Sequence, residues 1–146
     1  MDVKIQPANQ ADLNKIIRLL SQEKLPVVDI GDEAVRLFVA RMKDELIAVI
    51  GLEQYKNIGL LRSLAVDDAY KNQKAGERMI QYLFNFCDEE KITVLYLLTT
   101  TAENYFTRFG FQQTERIKVP DVIQQTRQYK ELCPSTSVVM VRLMDN

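Results

Sequence analysis

The chain has 146 residues, of which 47% are apolar and 27% charged, a composition typical of a folded domain and not of a disordered segment. Its 19 basic and 20 acidic residues give a net charge of −1, so no nucleic-acid partner and no anionic membrane surface is expected. The sequence contains no histidine, which excludes histidine-based nucleophilic triads, histidine metal sites and a histidine general base. The length predicts a single domain over residues 1–146.

The two cysteines, Cys87 and Cys133, lie far apart and lack the spacing of a metal site. We expect free, buried thiols in a reducing compartment, and we do not expect Cys133 to act as a nucleophile. The sequence shows no signal-peptide pattern and no long apolar span. We therefore predict a soluble, cytoplasmic protein with no metal and no membrane partner.

The chain begins with a predicted strand and helix. Residues 3–6 alternate apolar and polar side chains, and residues 13–20 carry apolar side chains at helical spacing. Asn9 or Asp12 would cap the helix. Residues 22–33 have no regular period, which indicates either a connector with a short helix or a flap that shapes an acceptor pocket.

Three apolar segments follow in close succession. They are joined by short polar turns and cover residues 35–42, 45–54 and 60–66. Strands connected this tightly predict an antiparallel meander. The third segment is apolar nearly throughout, as expected for a strand that is covered on both faces.

A polar loop and an amphipathic helix follow the third strand. The loop covers residues 70–75, and Gly76 lies at or near the helix start. The helix carries one apolar stripe, formed by Met79, Ile80, Leu83, Phe84 and Cys87. A loop that leads into a helix N-terminus brings backbone N–H groups and the positive end of the helix dipole together, which predicts an anion site. An ordinary strand, loop and helix with solvated lysines is the alternative.

The remaining residues predict a second central strand followed by further short elements. Residues 92–99 come after a crossover helix, so we expect them to run parallel to residues 60–66. The later elements are a helix over 102–109 stopped by Gly110, a strand over 111–119, a helix over 121–134 closed by Pro134, and a strand over 137–143. This order predicts a mixed α/β sheet with helices on both faces.

The central strand, loop and helix resemble the acetyl-CoA-binding core of the GNAT acetyltransferases. The resemblance lies in residues 64–66 (LAV), the Tyr70-Lys71 pair and the glycine-containing turn before the helix. The family loop reads Gln/Arg-x-x-Gly-x-Gly/Ala, and here Lys71 takes the first position, Lys74 the first glycine and Gly76 the last. The resemblance implies the GNAT fold, a mixed and mostly antiparallel sheet with splayed central parallel strands, and acetyl-CoA as co-substrate.

The same resemblance implies the cofactor-binding residues. The backbone of the first splayed strand would pair with the pantetheine arm, and the N–H groups of the loop would hold the pyrophosphate. Lys74 bears a side chain where the family has glycine, which is costly if the turn requires a positive φ. The implied cofactor-binding residues are Leu64, Ala65, Val66, Lys71, Asn72, Gln73, Lys74, Ala75, Gly76, Glu77, Thr100 and Asn104.

A second family mark lies in residues 102–111 (AENYFTRFGF). Many GNAT proteins have Phe-Tyr-x-x-x-Gly-Phe here, and the tyrosine can protonate the leaving thiolate. The aromatic pair is reversed in this chain, so Phe106 takes the place of the acid and cannot donate a proton. Tyr105 is the candidate acid, displaced by roughly 100° around the helix. A packed aromatic ring with a solvated hydroxyl is the alternative.

Glu53 is the candidate general base, because an acceptor ammonium must lose a proton before it attacks a thioester. It lies near the end of a central apolar strand, where a carboxylate is costly unless it has a role. The alternative is a surface residue beyond the strand end. Arg62, inside the next strand, is expected either to pair with Glu53 or to face an acidic acceptor.

Together these features predict an N-acetyltransferase that transfers an acetyl group from acetyl-CoA to the primary amine of a small molecule. The amine would attack directly in a ternary complex, and residues 24–30 and 121–134 would shape the acceptor pocket. The altered loop and Phe106 favour the alternative of a non-catalytic GNAT domain that binds CoA or a protein partner. An unrelated α/β interaction domain is a third alternative, and a homodimer is left open.

A narrower resemblance extends over most of the chain. The runs LLRSLAV, YLLTTTA and LCPS look like the small GNAT proteins associated with arsenic resistance. This resemblance implies a fold and a cofactor class, and it gives only a hint about the physiological role.

Overall fold

The computed structural model describes residues 3–132 and 135–144, with the side chains of Asn72 and Gln73 also left undescribed. Our expectations for Cys133 and Pro134 therefore lie outside the described residues. Two compact units can be distinguished. The first contains the described residues up to Glu53 together with Leu61–Phe86, and the second contains Gln54–Leu60 and the described residues from Cys87 onward. The expected single domain stays a prediction.

Strands and short helices alternate along the described chain. The strands are β1 (Lys4–Pro7), β2 (Val35–Met42), β3 (Glu45–Tyr55), β4 (Ile58–Val66), β5 (Val94–Thr99), β6 (Gln112–Gln113) and β7 (Val138–Leu143). The α-helices are α1 (Leu13–Gln22), α2 (Ala75–Glu89), α3 (Glu103–Thr107) and α4 (Asp121–Gln124). Single 3-10 turns cover Gln10–Asp12, Asp68–Gln73 and Arg116–Lys118, and a π-helical turn covers Gln128–Leu132.

The sheet is mixed, with the strand order β1-β2-β3-β4-β5-β7-β6. In the first unit, β2 pairs antiparallel with both β1 and β3. In the second unit, the first three residues of β4 pair parallel with β5, where Ile58 lies opposite Val94 and Leu60 opposite Tyr96. Strand β7 pairs antiparallel with β5 and β6. The predicted mixed sheet and the predicted parallel pair are therefore confirmed.

Helices α1 and α2 pack on opposite faces of the strands in the first unit. Neighbouring residues of a strand point to opposite faces. Val39 lies in the buried cluster that includes Ile16 of α1. The ring of Phe38, the next residue along β2, lies 5.3 Å from the ring of Tyr82 and 5.0 Å from that of Phe86, both on α2. Helices on both faces are thus present in this unit, as the order of elements predicts.

Two predicted turns are confirmed by backbone conformations that most side chains avoid. Lys43 (φ 50) and Asp44 (φ 66) form the tight turn between β2 and β3, as in a two-residue hairpin. Gly110 has φ 91 and follows α3, where it was expected to stop the helix. A Cβ at Gly110 would lie 2.9 Å from Nε of Arg142, so the position also lacks room for a side chain.

The second unit has its own apolar cluster. Helix α4 contributes Ile123, which is fully buried together with residues of β5 and β7. The cluster of buried residues is Leu60, Tyr96, Leu98, Val119, Ile123 and Val139. Burying one such side chain is worth about 1.5–3 kcal/mol.

The prediction of a strand over residues 111–119 is wrong for most of these residues. Pairing with β7 covers Gln112 and Gln113, and the N–H of Thr114 donates to the carbonyl of Val139 at 2.9 Å. The chain then turns through Arg116–Lys118, where the Lys118 N–H bonds back to the Glu115 carbonyl at 3.0 Å. A local turn therefore replaces the ladder.

The single helix expected over residues 121–134 is also wrong. It is divided into α4 and the π-helical turn, and Thr126 lies between them. Its hydroxyl donates to the Ile123 carbonyl at 2.7 Å and accepts from the Tyr129 N–H at 3.2 Å. A threonine side chain that bonds to the backbone in this way competes with continuous helix hydrogen bonding.

Smaller differences concern the N-terminal region. The first strand, expected over residues 3–6, ends one residue later, at Pro7 of β1, which lies at the edge of the sheet, where proline is tolerated. The connector between α1 and β2 contains turns and no helix among its residues, all of which the structure describes. The short helix expected there is therefore wrong.

Candidate active site

The candidate cofactor-binding segment begins at the C-terminal end of β4. Ala65 is buried, and Leu64 and Val66 are half-buried. The Asp67 N–H donates to the Ile47 carbonyl at 2.8 Å, which fixes the point where β4 ends. All of these residues belong to the first unit, as do residues 71–77, so the structure brings the two parts of this predicted site onto one strand, turn and helix.

The predicted loop is a 3-10 turn over Asp68–Gln73. The Asp67 side chain accepts from the Ala69 N–H at 2.9 Å, and the Tyr70 N–H donates to the Asp67 carbonyl at 2.8 Å. Lys74 follows with φ 59 and ψ 25, in the left-handed region. The strained conformation expected at this position is therefore present, on a lysine where the family pattern has glycine.

Helix α2 begins directly after Lys74 and extends for 15 residues. The Arg78 N–H donates to the Lys74 carbonyl at 3.2 Å. The N–H groups of Ala75 and Gly76 precede this hydrogen bond and belong to the first turn of the helix. Their placement at the positive end of the helix dipole suits an anion. Gly76 is the second residue of α2, as expected.

Lys71 lies between two carboxylates. Its Nζ is 3.0 Å from Asp68 Oδ1 and 3.0 Å from Glu23 Oε2. Hydrogen bonds to Asp68 and then to Glu23 raise the pKa of Lys71, so the ammonium stays charged at neutral pH. The positive charge expected at the loop is therefore present but offset by two acids, and the contribution of Glu23 was not visible at a distance of 48 residues.

Glu53 is 4% exposed, so the expectation of a surface residue is wrong. Its Oε2 accepts from Nη1 of Arg62 at 2.7 Å. Arg62 also donates from Nη1 and Nη2 to the two carboxylate oxygens of Asp29, at 2.6 Å each. The expected pairing of Arg62 with Glu53 is confirmed, and a catalytic role of Glu53 stays a prediction.

Asp29 was missed in the sequence because it lies in the connector, which has no regular period. Burial lowers the pKa of Arg62, but the hydrogen bonds to Asp29 and then Glu53 outweigh burial and raise it, so the guanidinium stays charged. The buried cluster therefore contains one guanidinium and two acidic side chains. A buried arginine in a strand signals that a buried acid must be nearby, and here there are two.

The backbone at Ser63 and Gly51 leaves room for the Arg62 side chain. Ser63 has φ 59 within β4, and its hydroxyl accepts from Nε of Arg62 at 3.0 Å. A Cβ at Gly51 would lie 3.2 Å from the Arg62 carbonyl oxygen and 3.3 Å from Arg62 Cγ. Glycine at this position of β3 therefore leaves the space that the Arg62 side chain occupies.

Tyr105 and Phe106 form an aromatic group in the second unit. The Tyr105 ring lies 5.4 Å from the Phe106 ring and 5.2 Å from the Phe109 ring, and Cζ of Arg108 lies 5.7 Å from the Tyr105 ring centre. Phe106 is buried, and its ring lies 5.8 Å from that of Phe111. The tyrosine ring is thus packed, and its role as a proton donor stays a prediction.

The other predicted residues of the second unit lie near the start of α3. Thr100 and Asn104 are exposed. The Thr99 hydroxyl accepts from the Ala102 N–H at 3.0 Å, so it satisfies a backbone donor just after the end of β5. The role of Thr100 and Asn104 in cofactor binding stays a prediction.

Cys87 is a buried free thiol, as expected. Burial raises the pKa of Cys87 to about 12, so this thiol is inert as a nucleophile at neutral pH. Within residues 3–132 and 135–144, no group of three potential ligands could hold a metal ion. None of the helices described is long and apolar enough to cross a membrane.

The fold and the strand–turn–helix segment agree with a comparison against known families. Residues 14–132 match the acetyltransferase (GNAT) domain family. The chain therefore belongs to the GNAT acetyltransferases, a family that uses acetyl-CoA as co-substrate. Membership excludes the alternative of an unrelated α/β interaction domain. No curated protein sequence matches the chain significantly.

Solved structures similar to this chain are GNAT proteins of low sequence identity. The N-acetylglutamate synthase of Neisseria gonorrhoeae, complexed with coenzyme A and N-acetyl-glutamate, has a TM-score of 0.84 at 18% identity and is matched by 100% of this chain. This chain covers only 36% of that synthase. A GNAT-family acetyltransferase of Staphylococcus aureus has a TM-score of 0.80 at 19% identity, with coverage of 99% of this chain and 100% of that one.

A third similar structure is the ribosomal-protein-S18-alanine N-acetyltransferase of Escherichia coli. Its TM-score is 0.77 at 14% identity, and the match covers 99% of this chain and 96% of that one. At such identities these similarities establish the fold.

Proposed function

We propose that this protein is an N-acetyltransferase that transfers the acetyl group of acetyl-CoA to the primary amine of a small molecule. The observation that carries the proposal is the junction of the 3-10 turn and α2, where the left-handed Lys74 leads directly into a 15-residue helix. In this proposal the N–H groups of the first turn of α2 bind the pyrophosphate, as the N-termini of helices commonly bind phosphate. Family membership supplies the cofactor that fits it.

The remaining cofactor contacts follow the family pattern. In this proposal the backbone of Leu64, Ala65 and Val66 pairs with the pantetheine arm, and residues 71–77 hold the pyrophosphate. The family resemblance also makes Thr100 and Asn104 candidate cofactor-binding residues. Main-chain contacts tolerate changes of side chain better than catalytic contacts do, which is why the replacement at Lys74 is compatible with binding.

The chemistry is a direct transfer in a ternary complex. Glu53 takes a proton from the acceptor ammonium, the neutral amine attacks the thioester carbonyl, and the C–S bond breaks to release CoA as a thiolate. Tyr105 is the candidate proton donor to that thiolate, and release of the thiolate to water is the alternative, since Phe106 has no proton to donate. No covalent enzyme intermediate is required.

The proposal is tested by acetyl-CoA binding and by transfer. Saturating acetyl-CoA should raise the melting temperature by several degrees, because a ligand at about 100 times its Kd stabilises the native state by about 2.7 kcal/mol. Transfer should be measured against a panel that includes amino acids, polyamines and peptides. Two acceptors for this panel are suggested by the names of similar solved structures, namely glutamate and a peptide with an N-terminal alanine. Absence of any thermal shift contradicts cofactor binding.

A non-catalytic CoA-binding or partner-binding domain is the second candidate function. It is favoured by the two carboxylates that offset Lys71 and by the buried Phe106 in place of the acid. The two candidates differ in one measurement. Thermal stabilisation by acetyl-CoA without transfer to any member of a broad amine panel supports the non-catalytic domain.

Three finer expectations remain hypotheses. A role linked to arsenic rests on the sequence runs alone, and the family and structural comparisons do not support it. A homodimer would be seen in solution by light scattering. A cytoplasmic location rests on the cysteine content and would be tested by fractionation.

A further inference from the structure

Arg116 is a half-buried arginine that two contacts hold in place within the second unit. Its Nη2 donates to the Ser137 carbonyl at 2.7 Å, and its Cζ lies 5.2 Å from the centre of the Tyr129 ring. A guanidinium that is already fixed loses little further freedom when it binds a ligand. Arg116 is therefore a preorganised cation that joins the 3-10 turn after β6, the π-helical turn and the residue before β7.

No carboxylate in the described part of the chain pairs with Arg116. Two acids of the neighbouring segments have other partners. Glu115 lies 3.9 Å from Nζ of Lys118, and Glu131 lies 3.5 Å from Nε of Arg127. A partly buried charge without a counter-ion is costly, and a bound anion would remove that cost. The guanidinium of Arg116 is therefore suited to an anionic group of a ligand.

Two unpartnered polar atoms belong to the segments that Arg116 joins. Among the residues that the structure describes, the Ser137 hydroxyl oxygen and Oε1 of Gln128 find no hydrogen-bond partner, although both residues are only 5% exposed. Ser137 is the residue whose carbonyl accepts from Arg116, and Gln128 directly precedes Tyr129, whose ring lies under the guanidinium. Buried polar atoms are nearly always satisfied, so two exceptions in the segments around one cation indicate a binding site.

The position of Ser137 relates this group to the candidate cofactor site. In the antiparallel ladder of β5 and β7, Val138 pairs with Thr99, the last residue of β5. Ser137 therefore lies just beyond the paired residues, at the end of the ladder where Thr100 leaves β5. Thr100 is a candidate cofactor-binding residue of the proposed function. The cation and its neighbours thus lie at the strand end to which that function assigns the cofactor.

We propose that Arg116 and the Ser137 hydroxyl bind the carboxylate of the acceptor, so that the protein acetylates α-amino acids in preference to amines without a carboxylate. This inference rests on the proposed function and names the class of its acceptor. The Ser137 carbonyl uses only one N–H group of the guanidinium, and others can donate to a carboxylate in parallel. The Ser137 hydroxyl donates a further hydrogen bond, and Oε1 of Gln128 accepts one from the amino group.

The test compares the standard amino acids with their α-amides, which keep the amino group and lack the carboxylate. The ratio of kcat/KM for the acid to that for the amide is measured in each variant, so that the different reactivities of the two amines cancel. In the wild type this ratio should be at least about 10 for the best acceptor, and Arg116→Met should lower it by about 10- to 100-fold, the factor of a hydrogen bond between charged groups. Lys118→Met, an exposed position of the same turn, is the matched control and should leave the ratio within about 2-fold.

Ser137→Ala is a second test, because Arg116 bonds to the backbone of this residue and not to its side chain. The substitution should lower the ratio by about 10-fold without lowering the melting temperature, since the hydroxyl has no partner in the described structure. Ser135→Ala, at an exposed position, is its control and should change neither quantity. A lower melting temperature with an unchanged ratio would show a purely structural role. Ser137→Ala decides the inference if Arg116→Met does not fold.

The outcomes separate this inference from the proposed function. A wild type that acetylates amines without favouring acids over amides overturns the inference and leaves the function standing. A preference for acids that persists in Arg116→Met also overturns the inference. A wild type that transfers to no amine overturns the proposed function. In that case, calorimetric titration of the same acids and amides in the presence of CoA applies the comparison to binding, and equal affinities for acid and amide overturn the inference as well.

Discussion

Arg62 and Asp29 lie 33 residues apart in the sequence and are joined by two contacts of 2.6 Å. This pair ties the connector after α1 to the middle of β4 within the first unit. Removing charges from water is costly, and a buried pair repays that cost only when its geometry is good and its other donors are satisfied. Here the remaining contacts go to Glu53 and Ser63.

Replacing Arg62 should therefore destabilise the protein strongly. Arg62→Met leaves two buried carboxylates without their cation, and we expect a loss of about 3–5 kcal/mol in the free energy of unfolding. Urea denaturation measures this loss. Arg18→Met on the exposed side of α1 is the control and should change stability by no more than about 0.5 kcal/mol. A loss below about 1 kcal/mol for Arg62→Met would show that the carboxylates find other cations.

The left-handed conformation of Lys74 predicts an unusual preference for glycine. With φ 59 at this position, Lys74→Gly should be more stable than Lys74→Ala by about 1 kcal/mol. The same pair of substitutions at Arg18, in the middle of α1, should show the opposite sign, because glycine is about 1 kcal/mol worse than alanine inside a helix. Thermal or urea unfolding of the four variants decides between these signs.

Glu23→Gln should strengthen acetyl-CoA binding. Glu23 lies 3.0 Å from Lys71 and offsets the charge that we propose for pyrophosphate binding. Exposed pairs are worth about 0.2–1 kcal/mol, which corresponds to an affinity gain of about 1.4- to 5-fold. Calorimetric titration should show the gain shrinking as salt is raised. Glu89→Gln, at the far end of α2, is the matched control. An unchanged affinity for Glu23→Gln would place Lys71 outside the phosphate site.

Acid should weaken the contact between Asp12 and Arg41. Burial raises the pKa of Asp12, but hydrogen bonds from Arg41 and from the Asn9 N–H outweigh it, so this pKa lies below its usual value. Because the folded pKa is depressed, the contribution is present above the unfolded pKa of about 3.9 and is lost as the pH falls through the folded pKa. Asp12→Asn should thus lower the melting temperature at pH values of about 6–7, and the difference from wild type should shrink below about pH 3. A difference that is constant with pH contradicts this.

The Cys87 thiol should resist modification in the native protein. With a pKa of about 12 and no exposed surface, almost none of it is thiolate at pH values of about 8. In the Cys133→Ser background, a thiol reagent should label Cys87 only after denaturant is added. Labelling of the folded chain as fast as that of the unfolded one would contradict the buried position.

Local patterns in the sequence predict several turns and helix ends correctly. The turn at Lys43 and Asp44, the start of α2 near Gly76 and the stop at Gly110 all follow from residue-level preferences that act over a few neighbours. The long helix expected after Asp121 fails because the Thr126 side chain bonds to the backbone on both sides, a choice that helical periodicity does not reveal. The strand expected after Phe111 fails because the chain turns through Arg116–Lys118, where the Lys118 N–H bonds back to the Glu115 carbonyl.

The sequence by itself determined the order of most strands and helices, the position of the turn before α2 and the family resemblance, since these depend on short-range periodicity and on the residues of one segment. Only the tertiary structure decided that Glu23 offsets Lys71 and that Asp29 holds Arg62, because these contacts join residues 48 and 33 positions apart. Charged side chains choose partners by distance in space, which no local pattern encodes. The sequence led us to expect the pairing of Arg62 with Glu53, and this expectation was correct. The second carboxylate was not expected, because it lies in a connector with no regular pattern.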